Sequence, residues 1–247
     1  MAGFGDRMKV DLAIIGGTGI GERLGQLGGK AVHVPTPAGL LRGAVVQHAG
    51  RSVFLVRRHS GGHKVPPHKV NYTAIALGLK TLGVRACLAT AAVGSLRQDW
   101  TAGTMAVMSD FIDLTGRNLT LFSRSVVHTD FTAPFGPGAR AALLKAGRDL
   151  GHPLQEKCVY LCGNGPRYET PHEIQLLRNI GHVVGMTSAS EAILLREAGI
   201  EYAGLAVVTN LAAGISESPL SHEEVVEEMV RSGERAVQIL LKAVEEL

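Results

Sequence analysis

The chain has 247 residues, of which 45% are hydrophobic and 19% are charged, and its formal net charge at pH 7 is +3. This length and apolar content suffice for a substantial hydrophobic core and exclude an intrinsically disordered chain. The small net charge, with no run of lysine or arginine, argues against a nucleic-acid-binding protein, which would carry a basic stripe.

The first half of the chain begins with a strand and a glycine-rich turn. A short apolar strand is predicted at 11–15, and the turn at 16–19 closes it. A second strand, at 52–56, leads into a segment rich in histidine and glycine. A helix is predicted at 69–82, because apolar residues recur on one stripe and Gly83 stands where a C-cap belongs.

The later elements repeat this alternation of strand, turn and helix. They are a strand at 85–90, a helix at 171–180, a strand at 182–186, a helix from a capping box at 188–191 to Gly199, a strand at 202–209, and a final helix from a second capping box at 221–224 to residue 247. The alternation indicates an α/β fold. No repeat, low-complexity tract or long linker divides the chain, so we predict one domain over residues 1–247.

The cysteines and the N-terminus bear on the cellular compartment. Cys87, Cys158 and Cys162 are expected to be buried, reduced thiols, as in cytosolic proteins. The polar segment 1–9 lacks the apolar region of a signal peptide, and no stretch approaches the roughly 20 apolar residues that cross a bilayer. We therefore expect a cytoplasmic protein without a membrane partner.

Several predicted strands end in threonine or small residues beside glycine. These residues are Thr18, Thr90 with Ala91, and Thr187. Strand ends in open α/β sheets converge on one site, where hydroxyl and backbone N–H groups can hold a phosphate oxyanion. Arg58 also follows an apolar strand and is expected to add a bidentate charged contact. The pattern predicts an anion site.

Three other kinds of site fit the sequence less well. The turn at 16–21 resembles a dinucleotide-binding turn, but the region 30–41 has no Asp or Glu to hold ribose hydroxyls. The histidine-rich segment 59–68 lacks the interposed Glu of a metalloprotease helix, and it contains no G-x-S-x-G nucleophile motif. These observations argue against an oxidoreductase, a metal site and a serine hydrolase.

A set of short segments carries a family resemblance. They are IGGTG at 15–19, RHSGGH at 58–63, PPHKVNY at 66–72, ATAAVGSL at 89–96, GPRYET at 165–170, GMT at 185–187 and VTN at 208–210. In these segments, which occur in family order along nearly the whole chain, the sequence resembles the trimeric purine nucleoside and methylthioadenosine phosphorylases.

The resemblance implies a fold, a reaction and an assembly. The implied fold is a single α/β domain with a central mixed β-sheet, partly barrel-like, flanked by α-helices. The implied reaction is phosphorolysis of a purine nucleoside, with inorganic phosphate as co-substrate and no cofactor or metal. The implied partners are these small molecules, not nucleic acid or a membrane, and the implied assembly is a homotrimer or a dimer of trimers.

The resemblance also implies roles for individual residues. The implied phosphate site comprises Thr18, Arg58, His59, Thr90, Ala91 and Thr187. The implied nucleoside site comprises Ala92, Tyr168, Glu169, Met186, Asn210 and His222, together with His128 of a neighbouring subunit. The implied catalytic residues are Asn210, Glu169 and His59.

Three positions bear on the substrate. The methylthioadenosine enzymes carry Asp where this chain has Asn210, and an amide can accept from purine N7–H while donating to O6, whereas a carboxylate would face O6 as a second acceptor. Asn210 therefore favours 6-oxopurines. His222 resembles the histidine that contacts a 5′-hydroxyl, which favours inosine and guanosine. Ser190 stands where the family usually has proline.

Some alternatives stay open at this point. The segments 58–59 and 66–68 are more similar to the methylthio branch of the family. A phosphorylase for methylthioinosine, methylthioadenosine or another 5′-modified nucleoside is therefore an alternative. A nucleoside- or phosphate-binding protein without turnover is another.

Overall fold

The computed structural model describes residues 10–216 and 221–247, except for the side chains of His63 and His222. The strands are Leu12–Gly16 (β1), Lys30–Thr36 (β2), Gly39–His48 (β3), Arg51–Arg57 (β4), Ala86–Ser95 (β5), Met105–Asp113 (β6), Gln155–Cys162 (β7), Val183–Gly185 (β8) and Glu201–Leu211 (β9). The α-helices are Ile20–Gln26 (α1), Tyr72–Leu82 (α2), Pro137–Asp149 (α3), Pro171–Leu177 (α4), Ser188–Glu197 (α5) and His222–Glu245 (α6).

The strands form one mixed sheet that closes on itself at one side. Their order is β2-β3-β4-β1-β5-β8-β7-β6-β9, and β9 also pairs with β5. The strands β5, β8, β7, β6 and β9 therefore form a closed barrel, and β1, β4, β3 and β2 extend from β5 as an open sheet. The prediction of a mixed, partly barrel-like sheet flanked by helices is confirmed.

Helices cover both faces of the open sheet and the barrel. Apolar residues of α1, α3 and α6 pack with Leu12 and Ile14 of β1, whereas those of α2 and α5 pack with Ala13 and Ile15. Because successive side chains of a strand point to opposite faces, β1 is buried throughout. In the described ranges, no helix is long and apolar enough to span a membrane.

Two predicted strands extend further than the sequence indicated. The strand predicted at 85–90 continues to Ser95, because β5 pairs with β9 along its whole length. Thr90 therefore lies inside a strand, not at its end, which corrects the prediction. The strand predicted at 202–209 runs from Glu201 to Leu211 and is almost wholly buried, as expected.

Two predicted helix starts are wrong for different reasons. The helix predicted at 69–82 begins at Tyr72, because Pro67–Lys69 forms a separate 3₁₀ turn and the Asn71 side chain caps the helix by accepting from Ala74 N–H at 2.9 Å. Helix α5 has Thr187 as its N-cap without a side-chain capping bond, so the predicted capping box at 188–191 does not form.

The other predicted helix ends agree more closely with the structure. Ser221 does cap α6, accepting from Glu224 N–H at 3.1 Å. The helix predicted at 171–180 ends at Leu177, and its start has a capping box between Thr170 and Glu173 that was not predicted. The three cysteines are free and buried, as expected.

Candidate active site

A cavity of about 420 Å³ opens where β1, β4, β5, β8 and β9 end or near their ends. Ten of the residues predicted from the sequence line it, and they are Thr18, Arg58, His59, Ala91, Ala92, Tyr168, Glu169, Met186, Thr187 and Asn210. The carboxyl ends of strands meet at this edge, which is why residues so distant in the chain converge here. The lining also includes Lys64 and the prolines at 66, 67 and 166.

Three predicted residues are placed differently. Thr90 does not line the cavity, and its hydroxyl accepts from Gly17 N–H at 3.1 Å. His128, which the resemblance assigns to the cavity of a neighbouring subunit, is exposed in a stretch without helix or strand and does not line this chain's own cavity, so its role stays a prediction. The side chain of His222 lies outside the described part of the structure, although the residue begins α6.

Arg58 is held by a carboxylate that the sequence analysis assigned to helix capping. Its Nε and Nη2 donate to Oε1 and Oε2 of Glu191 at 2.5 and 2.9 Å, and both side chains are only 1% exposed. Tyr202 Oη also donates to Glu191, at 2.7 Å. Burial by itself lowers the pKa of Arg58, but the Glu191 carboxylate outweighs burial and the pKa is raised. Arg58 thus makes a bidentate contact with Glu191, and the predicted contact with an anion stays a prediction.

One further N–H group of Arg58 bonds to strand β5, and two N–H groups are left without an acceptor in the described protein. Nη1 donates to the Thr90 carbonyl at 2.9 Å. Three of the five guanidinium N–H groups are thus used within the protein, and two remain for an anion. A Cβ at Gly17 would lie 2.7 Å from Arg58 Nη1 and 2.8 Å from the Thr90 carbonyl oxygen. Glycine at position 17 is therefore required for this close approach.

His59 is fixed by the loop that follows it. Its Nδ1 lies 2.8 Å from the Val65 carbonyl oxygen, and Val65 N–H donates to the His59 carbonyl at 3.1 Å. Because a carbonyl only accepts, Nδ1 carries the proton of this hydrogen bond. The loop between them includes Ser60 with φ 61° and Gly62 with φ 72°. The two bonds hold the loop against the imidazole at the cavity wall.

The opposite part of the lining contains an amide and a carboxylate. Asn210 Nδ2 donates to the Leu211 carbonyl at 2.9 Å, and Asn210 Oδ1 accepts from the Thr209 hydroxyl at 2.7 Å. The carbonyl can only accept, so these contacts define which amide atom is nitrogen. One N–H and one lone pair of Asn210 remain for a ligand.

Glu169 is half-buried and lines the same cavity as Asn210. Burial raises the pKa of its carboxyl group above the usual value, and Glu173 adds to the rise. A Cβ at Gly163 would lie 2.7 Å from Glu169 Oε1, so the backbone passes closely beneath the carboxylate. Tyr168, the residue before it, also lines the cavity and is 38% exposed.

Arg117 is a functional candidate that the sequence analysis missed. Its Nε donates to Asn164 Oδ1 at 2.9 Å and its Nη2 to the Asn164 carbonyl at 2.7 Å. Its Nη1 donates to the Met186 carbonyl at 3.2 Å and to Ser190 Oγ at 2.9 Å. The guanidinium also lies over the ring of Tyr72, 5.4 Å from its centroid. Arg117 thus joins the loop before Glu169 to the backbone of Met186.

The sequence contained one signal for this contact. Ser190 departs from the proline usual in the family, and its hydroxyl is the acceptor that Arg117 uses. The neighbouring Thr187 N–H donates to the Tyr160 hydroxyl at 3.1 Å, which fixes the start of α5 from the barrel side. The segment from Met186 to Ser190 is therefore held from two directions.

Comparisons with known proteins show the family of this chain. The family model described as the phosphorylase superfamily matches residues 11–245. A probable 6-oxopurine nucleoside phosphorylase of Moorella thermoacetica is 41% identical over 240 residues, which cover 94% of this chain and 92% of that protein. A probable S-methyl-5′-thioinosine phosphorylase of Methanopyrus kandleri is 39% identical over 95% of this chain and 92% of its own length.

A solved structure shares the fold. Methylthioadenosine phosphorylase from Schistosoma mansoni in complex with adenine superposes with a TM-score of 0.87 at 31% identity. The match covers 96% of this chain and 91% of that chain. The similarity therefore extends over the barrel, the open sheet and the helices that flank them.

Proposed function

Since this chain belongs to the phosphorylase superfamily, as its resemblance predicted, we propose that it cleaves 6-oxopurine nucleosides with inorganic phosphate. The chain is a nucleoside phosphorylase, a pentosyltransferase, by its relatives. The proposed substrates are inosine and guanosine, and the products are the free base and ribose 1-phosphate. The reaction needs no cofactor besides the phosphate co-substrate.

The proposed phosphate site lies at the Arg58 end of the cavity. Thr18, His59, Ala91 and Thr187 line the cavity with Arg58, and the two guanidinium N–H groups not used by the protein are available to phosphate oxygens. Thr90 supports this site from behind through Gly17 and Arg58. Phosphate is already an anionic nucleophile, so the protein's task is positioning and electrostatic stabilisation.

The proposed reaction proceeds through an oxocarbenium-like sugar. A phosphate oxygen forms a bond to the anomeric carbon as the C–N bond breaks, and the electron pair of that bond leaves with the purine. Met186 is proposed to pack under the ribose. Phosphate beneath the sugar also stabilises its developing positive charge.

The 6-oxopurine assignment rests on the hydrogen-bonding groups that Asn210 leaves unused within the protein. The remaining lone pair and N–H of Asn210 match the departing 6-oxopurine, which takes a proton from solvent at N7: the lone pair accepts from N7–H and the N–H donates to O6. A 6-aminopurine would present a donor toward the Asn210 N–H, leaving a buried donor without a partner. Glu169 is proposed to accept from N1–H of the same base, which an adenine ring does not carry in its neutral form.

A second candidate shares the base and differs at the 5′ position. The relative from Methanopyrus kandleri is named for S-methyl-5′-thioinosine, which is also a 6-oxopurine nucleoside. Asn210 and Glu169 fit this substrate equally well. The choice depends on the 5′ side, where His222 and, in the proposed homotrimer, His128 of a neighbouring subunit are the proposed contacts.

A substrate panel tests the proposal. The protein would be incubated with inosine, guanosine, adenosine, methylthioinosine and methylthioadenosine, each with and without phosphate, and base release would be followed. We expect phosphate-dependent release from inosine and guanosine and little from the adenine nucleosides. Release without phosphate would indicate a hydrolase, and ligand-induced stabilisation without turnover would indicate a binding protein. Preference for methylthioinosine would favour the second candidate.

A further inference from the structure

The charge balance of the cavity leaves the bound anion short of positive charge. The charge of Arg58 is neutralised by Glu191 in a pair that is almost completely buried. Of the other described lining residues, Glu169 adds a carboxylate. A phosphate dianion at the Arg58 end would therefore meet donors but little net positive charge from this pair. An additional cation is needed to offset the anion.

Lys64 lies where such a cation is needed. It lines the same cavity and immediately precedes Val65, whose backbone is bonded in both directions to His59. The 3₁₀ turn Gly61–His63 comes just before it. The loop geometry therefore holds the Lys64 backbone beside a residue of the proposed phosphate site.

The Lys64 side chain has the freedom to reach an anion. Within the described ranges, its ammonium group makes no hydrogen bond or ion pair, and the residue is exposed. A Cβ placed on Gly62 would lie 3.5 Å from Lys64 Cε, an ordinary van der Waals contact, so the aliphatic chain of Lys64 runs past Gly62. A lysine ammonium on a flexible chain suits an oxyanion that enters and leaves.

We propose that Lys64 is a phosphate-binding residue and supplies the unpaired positive charge of the site. The inference rests on the proposed phosphorolysis, which supplies the anion. Arg58 orients phosphate through directional hydrogen bonds, whereas Lys64 contributes charge from an exposed side chain of the cavity lining. Phosphate affinity should therefore depend on Lys64, and nucleoside affinity should not.

The test measures the two substrates separately. In Lys64→Gln, we expect the KM for phosphate at saturating inosine to rise about tenfold, the size of one charge-assisted contact at a partly exposed site. The KM for inosine at saturating phosphate should change by less than about twofold. Lys64→Arg should retain most of the phosphate affinity. Lys69→Gln is the matched control, because Lys69 does not line this cavity and lies instead in an adjoining groove of about 650 Å³ beside α2.

Direct titration of the same proteins with inorganic phosphate keeps the test independent of turnover. Tighter binding by wild type than by Lys64→Gln supports the inference even if no nucleoside is cleaved, in which case the proposed function alone fails. An unchanged phosphate KM and affinity in Lys64→Gln would overturn the inference while leaving phosphorolysis intact. Equal losses in Lys64→Gln and Lys69→Gln would also overturn it, since they would reflect the general surface charge.

Discussion

Glu191 holds Arg58 in a fixed orientation by a two-point ion pair, with Nε–Oε1 and Nη2–Oε2 distances of 2.5 and 2.9 Å. The two residues are 133 positions apart in the chain, and both side chains are buried. The pair directs one edge of the guanidinium into the protein, so only the remaining N–H groups can serve a ligand. Glu191 is therefore a positioning residue for the proposed phosphate site.

Replacing Glu191 should damage both stability and phosphate use. In Glu191→Gln, the buried charge of Arg58 loses its counter-charge, which should cost about 3 kcal/mol of unfolding free energy. Chemical denaturation measures this loss, and steady-state kinetics should show a higher phosphate KM. Tyr202→Phe is the control, because it removes one hydrogen bond to Glu191 and should cost only about 1 kcal/mol. Equal losses in the two variants would contradict the assigned role.

Asn210→Asp should change the choice of base. The carboxylate cannot donate to O6, and it would face the Leu211 carbonyl where Nδ2 now donates. We expect the ratio of kcat/KM for inosine to that for adenosine to fall by about a hundredfold. Asn210→Ala should lower activity on both nucleosides without moving the ratio toward adenosine. An unchanged ratio in Asn210→Asp would remove the basis for the 6-oxopurine assignment.

The raised pKa of Glu169 predicts where activity on inosine is lost in acid. The carboxylate must be ionised to accept well from N1–H, so kcat/KM should fall as the pH drops through its pKa. Burial raises that pKa, so the fall in kcat/KM on the acid side of the pH profile, the acid limb, should lie above the usual glutamate pKa of about 4.3. In Glu169→Gln the limb should disappear and kcat/KM should be lower at neutral pH.

Glu173 supplies the control for that pH profile. The Arg167 side chain hydrogen-bonds its carboxylate and lowers its pKa to about 2, well below the range of interest. Glu173→Gln should therefore keep the acid limb and move it only slightly to lower pH, because Glu173 adds less than burial to the raised pKa of Glu169. A limb that persists in Glu169→Gln would show that another group titrates.

Arg117 should affect the nucleoside more than the phosphate. Arg117→Met removes the hydrogen bonds that join Asn164, Met186 and Ser190. The loop before Glu169, the proposed base contact, is then no longer tied to Met186, the proposed ribose contact. We expect kcat/KM for inosine to fall at least about tenfold, with a smaller change in the phosphate KM. Ser190→Ala removes one of these bonds and should cost about 1 kcal/mol of stability. Equal effects on both substrates would indicate general unfolding.

The sequence by itself determined the family, the α/β class and ten of the residues that line the cavity. The reason is local. Residues such as Thr18, Arg58 and Thr187 directly follow strands, and the carboxyl ends of strands in such sheets meet at one edge. The identity of Asn210 also carries the proposed base preference, since hydrogen-bonding capacity is a property of the side chain itself.

Some elements were missed, for different reasons. The β2–β3 hairpin at 30–48 has mostly exposed or half-buried residues, so it lacks the apolar run that marked the neighbouring strands. Helix α3 begins at Pro137 after a stretch without regular structure, and no side chain caps it. Helix α3 does carry a local signal that the sequence analysis missed, since Pro137 opens it and its buried residues Ala139, Ala142, Leu143 and Ala146 recur at helical spacing.

Only the tertiary structure decided the partners of the buried charges. The sequence at 188–191 fits a capping box, yet Glu191 pairs with Arg58, because a buried guanidinium without a counter-charge is more costly than an uncapped helix start. Arg117 likewise meets Met186 and Ser190 across about 70 residues of chain. Such contacts depend on how the barrel closes and on strand register, which local residue patterns do not encode.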